Sequence, residues 1–329
     1  MGYARKHLIS LQDTPYYHCI ARCVRRCWLW GVDEYAGRDY SHRKQWVLDR
    51  LSHLCSIFAV DVCAYAVMSN HYHLVLHVDA WRAREWRKQE VVERWTRLFQ
   101  APQLVKRWQS GEALEADRHA AELIIEGWRH RLYDVSWFMR CLNEHLARLA
   151  NAEDRCTGRF WEGRFRSQAL LDDAGLLVAM AYVDLNPIRA GIAATPEESE
   201  FTSIAERIRQ VRQGTALEKE ASARVALRLF NDEMEEPEQR RAALPFSLRD
   251  YLLLVDRSGR VIRSDKRDYP DPEQPAILKR LDIDSDSWDL LMSRRARILG
   301  RAMGRLDAMR LHAATLGQSW VRGLRVAAS

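Results

Sequence analysis

Long apolar runs are missing from this chain. No stretch approaches the ~18–20 apolar residues that a membrane-spanning helix needs, so no membrane partner is expected. The opening MGYARKHLISLQDTPYYH lacks the continuous apolar segment of a secretory signal, and a cytoplasmic location is expected. Paired cysteine knuckles are missing as well. The seven cysteines are an odd number at irregular spacing. Cys19, Cys23 and Cys27 recur every four residues, but no CxxC pair accompanies them. Reduced thiols are a simpler reading of these three than a zinc site. Internal repeats and low-complexity tracts are also absent.

What is present is enough apolar material for a core, 47% of 329 residues, which excludes wholesale disorder. The net charge of +6 favours a polyanionic partner, although a solvated basic surface carries the same charge. Residues 16–25 (YYHCIARCVR) read as a first strand and 39–58 as a helix, with Trp46, Val47, Leu51, Leu54 and Phe58 near one face. Residues 59–68 form a second strand, Ser69 and Asn70 a tight turn, and 71–78 (HYHLVLHV) its antiparallel partner. Residues 79–126 become helical, charged and tryptophan-rich, an insertion extending to about 136. An amphipathic helix follows at 138–151, then a strand at 158–171 and a helix at 173–186. Asp172 or Asp173 can cap that last helix, Pro187 stops it, and Gly191 suits the turn out.

The expected fold class is α+β, a ferredoxin-like split βαβ antiparallel sheet in the order β-α-β-β-α-β, with a mostly helical insertion and C-terminal region. Three parts are expected: 1–195 as the main domain, 196–245 as a charged helical linker, and 246–329 as a small helical accessory domain without chemistry of its own.

His71 and His73 are two apart on a strand, so their imidazoles face one way and can share a cation. A pair of surface histidines on a half-buried strand is the plainer alternative. His77 shares the face but lies roughly 13 Å along the strand from His73, too far to join the same ion. Tyr182 and Asn186 are four apart on the last helix and share a face. Each taken alone reads as a core tyrosine and a helix terminator. Taken together, two imidazoles and one amide oxygen leave open positions on a hard cation such as Mg²⁺ or Mn²⁺. An open cation polarises a phosphate oxygen, and a nearby tyrosine hydroxyl can act as nucleophile.

These segments resemble a known family. MSNHYHLVLHV resembles the HUH motif of the single-tyrosine transposases, two histidines around a bulky hydrophobic residue. GRFWEGRFRSQALL followed by AYVDLNPIRAGI is similar to the last strand and tyrosine helix of the REP-associated tyrosine transposases. The resemblance spans roughly residues 1–195. It implies an HUH active site with Tyr182 as nucleophile, His71 and His73 as metal ligands and Asn186 as the third. It further implies a metal-dependent endonuclease that cleaves and rejoins single-stranded DNA through a 5′-phosphotyrosine. Ser69 stands where many relatives have proline, and Tyr72 where an aliphatic is common. Tyr72 points away from the metal face and is not taken as the nucleophile.

Single-stranded or hairpin DNA is the expected partner, with monomer and homodimer both open. Arg22, Arg25, Arg26, Arg164, Arg166 and Arg189 are candidates for phosphate contacts. Phe160, Trp161 and Phe165 either stack on bases or pack in the core. In the insertion, Trp81, Trp86, Trp95 and Trp108 among basic residues suit a clamp on DNA or an amphipathic helix burying its indoles equally well. Two other functions compete. A catalytically inactive or domesticated DNA-binding protein would keep this fold. A zinc hydrolase would need an HxHxDH run, but Val75 and Leu76 occupy the positions required for Asp and His.

Overall fold

A computed structural model describes residues 9–24, 31–33, 37–213, 224–264, 275–293 and 300–327. Arg25, Arg26 and Cys27 lie outside the described residues. The strands are β1 (Tyr16–Arg22), β2 (Val32–Asp33), β3 (Arg38–Asp39), β4 (Val60–Val67), β5 (His71–Val78), β6 (Arg166–Leu170), β7 (Ala302–Gly304) and β8 (Gly323–Arg325). β2 and β3 pair only with each other. The others form one sheet in the order β4-β5-β1-β6-β7-β8.

Four neighbouring strands of this sheet, β4 to β6, pair antiparallel. With α1 (Arg43–Cys55) between β1 and β4, and α6 (Val135–Glu153) between β5 and β6, they give the split βαβ order read from the sequence. The expectation of a purely antiparallel sheet is corrected by β7 and β8, which join β6 in parallel pairing. Residues 246–329 are therefore not helical throughout, because β7 and β8 cover the edge that β6 would otherwise expose.

Alternation along β1 divides the molecule into layers. Tyr17, Cys19, Ala21 and Cys23 face α1 and α6 in one core, joined there by Tyr72, Leu74 and Leu76 of β5. The insertion, α2 (Ala80–Glu85), α3 (Lys88–Thr96), α4 (Gln103–Ser110) and α5 (Glu115–Arg131), extends this core. Its indoles are mostly inside: Trp95 and Trp128 stack at 5.3 Å, and Arg94 caps the Trp86 ring at 4.1 Å. Trp81, 71% exposed, is the exception. Of the two readings of the insertion, burial of the amphipathic face is the one observed. Phe160 and Trp161 also pack here, Phe160 buried and Trp161 half-buried, with the Trp161 indole donating to the Asn143 carbonyl at 2.8 Å.

The opposite face carries α7 (Asp173–Asp184), whose apolar residues are buried nearly all round. The Asp172 carboxylate caps it by accepting from the Gly175 N–H at 2.7 Å, and also accepts from the Arg305 N–H at 2.6 Å beyond β7. At Gly175 a Cβ would lie 2.6 Å from the Met303 carbonyl oxygen, so only glycine lets α7 approach β7 this closely. The helix ends at Asp184, earlier than the expected stop at Pro187. A separate turn, α8 (Asn186–Arg189), takes Pro187 within its first turn, where the missing N–H costs nothing. Gly191, at φ +70°, makes the turn out.

Beyond it come α9 (Ser203–Gln213), α10 (Pro237–Ala242), α11 (Leu248–Ser264), α12 (Ala276–Arg280), α13 (Ser285–Met292) and α14 (Leu306–Thr315). Leu254 and Val255 of α11, Trp288 of α13 and Met303 share one core with α7. Asp184, 0% exposed, ties these parts together. Its carboxylate accepts from the Tyr251 hydroxyl at 2.5 Å, the Ile204 N–H at 2.9 Å and the Ser203 hydroxyl. No described helix is long and apolar enough to cross a membrane.

Because α7 is covered by residues from the C-terminal third, a chain ending at Pro196 should fail to fold as a cooperative unit. A soluble truncation with a sharp melt and a native near-ultraviolet circular dichroism spectrum would disprove this. Tyr251→Phe, which removes one donor from a buried carboxylate, should destabilise the full chain by about 1–3 kcal/mol in denaturant unfolding. An unchanged midpoint would mean that the hydroxyl contributes nothing.

Candidate active site

β5 begins at His71, and the pleat sends His71, His73, Val75 and His77 toward α7. The His71 and His73 rings lie 4.9 Å apart, centroid to centroid, as the HxH spacing predicts. Tyr72 turns to the other face, where its hydroxyl donates to Asn143 Oδ1 at 2.7 Å. His77 is engaged elsewhere, its Nδ1 3.3 Å from Asp61 Oδ2.

β1 supplies a residue that sequence reasoning missed. His18 follows the alternation of Tyr16, Ile20 and Arg22 onto the α7 face, and its Nε2 lies 2.9 Å from Nδ1 of His73. The two rings are within 17° of coplanar, joined edge to edge. On the far side, His18 Nδ1 is 3.4 Å from Oε1 of Gln168, on β6. The available signal was the period-two pattern of the first strand, which puts His18 and Arg22 on one side.

α7 brings Tyr182 over this group. Its ring is 6.0 Å from that of His73 and 6.4 Å from that of His18. The structure thus unites His71, His73 and Tyr182, which the sequence separates by more than a hundred positions. Asn186, 8% exposed, opens the next helical turn, and its buried Nδ2 has no hydrogen-bond partner.

The proposed phosphate ligands divide. Arg22 is exposed at the end of β1 and is the register partner of His71. Arg166 is exposed opposite Ile20, and Arg164 is exposed in the bend before β6 rather than on the strand. Arg189 is only half exposed. Its guanidinium sits 4.0 Å from the centre of the Tyr182 ring, and its Nε donates to the Ser293 carbonyl at 3.1 Å.

Burial sets the charge state of the imidazoles. It holds His18 down to about 4. Burial, helped by the nearby Arg22 cation, holds His71 down to about 4. His73 lies well below the usual histidine value, again chiefly through burial, with His18, His71, Arg189 and Arg22 adding to it. All three are neutral near pH 7, and neutral imidazole is the form that binds a metal. Among the described residues, no group of three or more His, Cys, Asp or Glu side chains is arranged to hold a metal ion. A cation here would depend on two imidazoles and a non-acidic third donor. The amide oxygen of Asn186 is a donor of that kind, whereas its unpartnered Nδ2 carries protons, can only donate hydrogen bonds and binds no cation. Cys19 and Cys23 lie in the other core and form no disulfide.

No protein-family model matches the sequence, and no curated protein matches it. Among solved structures, the chain is similar to a REP-associated tyrosine transposase bound to a REP hairpin. The match covers 64% of this chain and 86% of that one, at 11% identity and a TM-score of 0.37. At that level the likeness does not by itself assign an activity.

The buried histidines make acid sensitivity a direct test of this geometry. Unfolded imidazoles titrate near ~6.5, well above the folded values of His18 and His71. Between about pH 6.5 and 4 the unfolded chain takes up protons that the folded chain refuses. The histidine contribution is therefore full above about pH 6.5 and lost as pH falls through this window. Asp184 opposes it: burial pushes its carboxyl up to about 6, so its contribution is lost as pH rises through that value. Three imidazoles outweigh one carboxyl. Stability should fall on the order of 1–2 kcal/mol between about pH 7 and pH 5 in urea unfolding. A protein more stable at about pH 5 would show that these rings are not held neutral.

Proposed function

We propose that the chain is a metal-dependent endonuclease and transposase that cleaves and rejoins single-stranded DNA through Tyr182. The observation that carries this reading is the placement of the Tyr182 ring 6.0 Å from His73 on a face shared with His71. Neither a surface histidine pair nor an ordinary core tyrosine requires that meeting. The motif resemblance of the histidine strand and the tyrosine helix supports the same reading.

His71, His73 and Asn186 would hold Mg²⁺ or Mn²⁺, which when bound withdraws charge from a phosphate oxygen. The chain's own groups supply the rest. The Tyr182 oxygen attacks phosphorus, a bond from phosphorus to Tyr182 forms, and the bond to the 3′ oxygen breaks. The phenolic proton passes to water, and the departing oxygen takes one from water to become a 3′-hydroxyl. One ester replaces another, so a later hydroxyl can reverse the step and rejoin the strand without ATP. α7 is packed from several sides, which fixes the phenol against the histidines before substrate arrives. Arg189, its guanidinium 4.0 Å from the centre of the Tyr182 ring, would put a cation over the face of the phenol on which negative charge develops. Exposed Arg22, Arg164 and Arg166 would hold the DNA backbone at the same end of the sheet.

The test uses labelled single-stranded hairpin DNA with Mn²⁺, followed by peptide mapping of any covalent adduct. The adduct should lie on Tyr182, and Tyr182→Phe should abolish it while leaving the melting temperature nearly unchanged. Excess chelator should abolish cutting in the unmodified protein. Tight DNA binding with no adduct and no cutting in Mn²⁺ would instead favour the catalytically inactive DNA-binding protein.

A further inference from the structure

His73 has two ring nitrogens, and only a bare one can bind a cation. Which one is bare depends on what lies behind the ring. Behind His73 is His18, behind His18 is Gln168, and behind Gln168 is the backbone of β7, with its amide Nε2 3.3 Å from the Ala302 carbonyl oxygen. A carbonyl oxygen can only accept. The Gln168 amide therefore turns its NH₂ toward Ala302 and its oxygen toward His18. That oxygen can only accept, so His18 carries a proton on Nδ1. His18 is 1% exposed and touches no carboxylate in this chain of contacts, so it is neutral and its Nε2 is bare. A bare Nε2 at 2.9 Å requires the proton on Nδ1 of His73. The lone pair of His73 is left on Nε2, the nitrogen not engaged by His18.

We propose that His18 is a positioning residue: held through Gln168 by the Ala302 carbonyl, it fixes His73 in the Nδ1–H tautomer and so keeps Nε2 available to a divalent cation. This deepens the proposed function and rests on it for the identity of the ligand. The same arrangement recurs at His71, whose Nδ1 lies 2.6 Å from Asn70 Oδ1. The anchor is remote in sequence: Ala302 belongs to β7, more than two hundred positions after His73. The C-terminal strand thereby orients a ligand it does not touch. Outer-shell partners of this kind typically contribute about 10–100-fold to metal affinity.

The tautomer can be measured without metal, on the full-length protein labelled with ¹⁵N at histidine. Long-range proton–nitrogen correlation should give His73 a protonated Nδ1 and an unprotonated Nε2, and the same for His18. A proton on Nε2 of His73 would overturn the proposal. Mn²⁺ affinity supplies the second measurement. His18→Leu, which cannot accept a hydrogen bond, should weaken binding about 10–100-fold. His18→Gln, which restores a side-chain oxygen, should recover most of that loss. A folded His18→Leu protein that binds Mn²⁺ as tightly as the unmodified chain would also overturn the proposal. If Mn²⁺ leaves the His71 and His73 signals of the unmodified protein unbroadened, the metal reading itself fails, while the tautomer measurement still decides the hydrogen-bond ladder.

Discussion

A single buried carboxylate, Asp184, anchors the helix on which the candidate site is built. It is the last residue of α7, wholly enclosed, and bound by donors from α9 and α11. Burial still pushes its carboxyl up to about 6 despite these donors. A buried acid is tolerated only where its hydrogen bonds are met, so its surroundings must arrive in register. Tyr182 lies two positions before it and Asn186 two after. Fixing Asp184 therefore fixes the tyrosine and the amide together, and it makes α9 and α11 part of the site without touching it.

The sheet imposes the matching constraint from the other side. β1 runs through its middle, and every second residue must face either the α1 and α6 core or α7. The first set is apolar. The second includes His18 and Arg22, across from Val75 and His71. Imidazoles can occupy a dry face only while neutral and hydrogen-bonded. The contact between His18 and His73 meets that need, and Gln168 and Ala302 extend it across β6 to β7. His73, His18 and Gln168 thus form one connected ladder inside a largely apolar layer.

The parts legible in the sequence were those governed by local periodicity. His71–Val78 alternates strictly, so its bounds and the shared face of His71 and His73 follow from the pleat alone. The four-residue spacing of Tyr182 and Asn186 pointed to one helical face, although the helix breaks between them at Leu185 and Asn186 starts a new turn. The parts not legible depended on tertiary partners. β7 and β8 are three residues each, too short to carry a period, and become strands only because β6 offers an edge. His18 gains meaning only once β5 is known to lie beside it. Phe160 and Trp161 sit among exposed arginines in sequence, yet their rings turn into the core with Tyr72, a direction the chain text does not carry. The tryptophans of the insertion follow the same rule: their basic neighbours left a clamp and a buried face equally open, and packing placed Trp86 and Trp95 inside while Trp81 stays exposed.

Burial along this face then orders its residues by role. His71 is half-buried at the rim, His73 is 4% exposed and His18 1%. Exposed Arg22 and Arg166 flank the same end of the sheet, while α7 covers the rest. From the solvent side the arginines and His71 come first, and the ring of Tyr182 lies beside the more deeply buried His73. His18 is closed off from solvent, with His73 at 2.9 Å and the Tyr182 ring at 6.4 Å. A residue so placed touches no solvent-borne molecule, and its closest polar contact toward the rim is the His73 ring at 2.9 Å. Position in the gradient, rather than residue type, separates the half-buried His71 at the rim from the enclosed His18 that bonds His73 from behind.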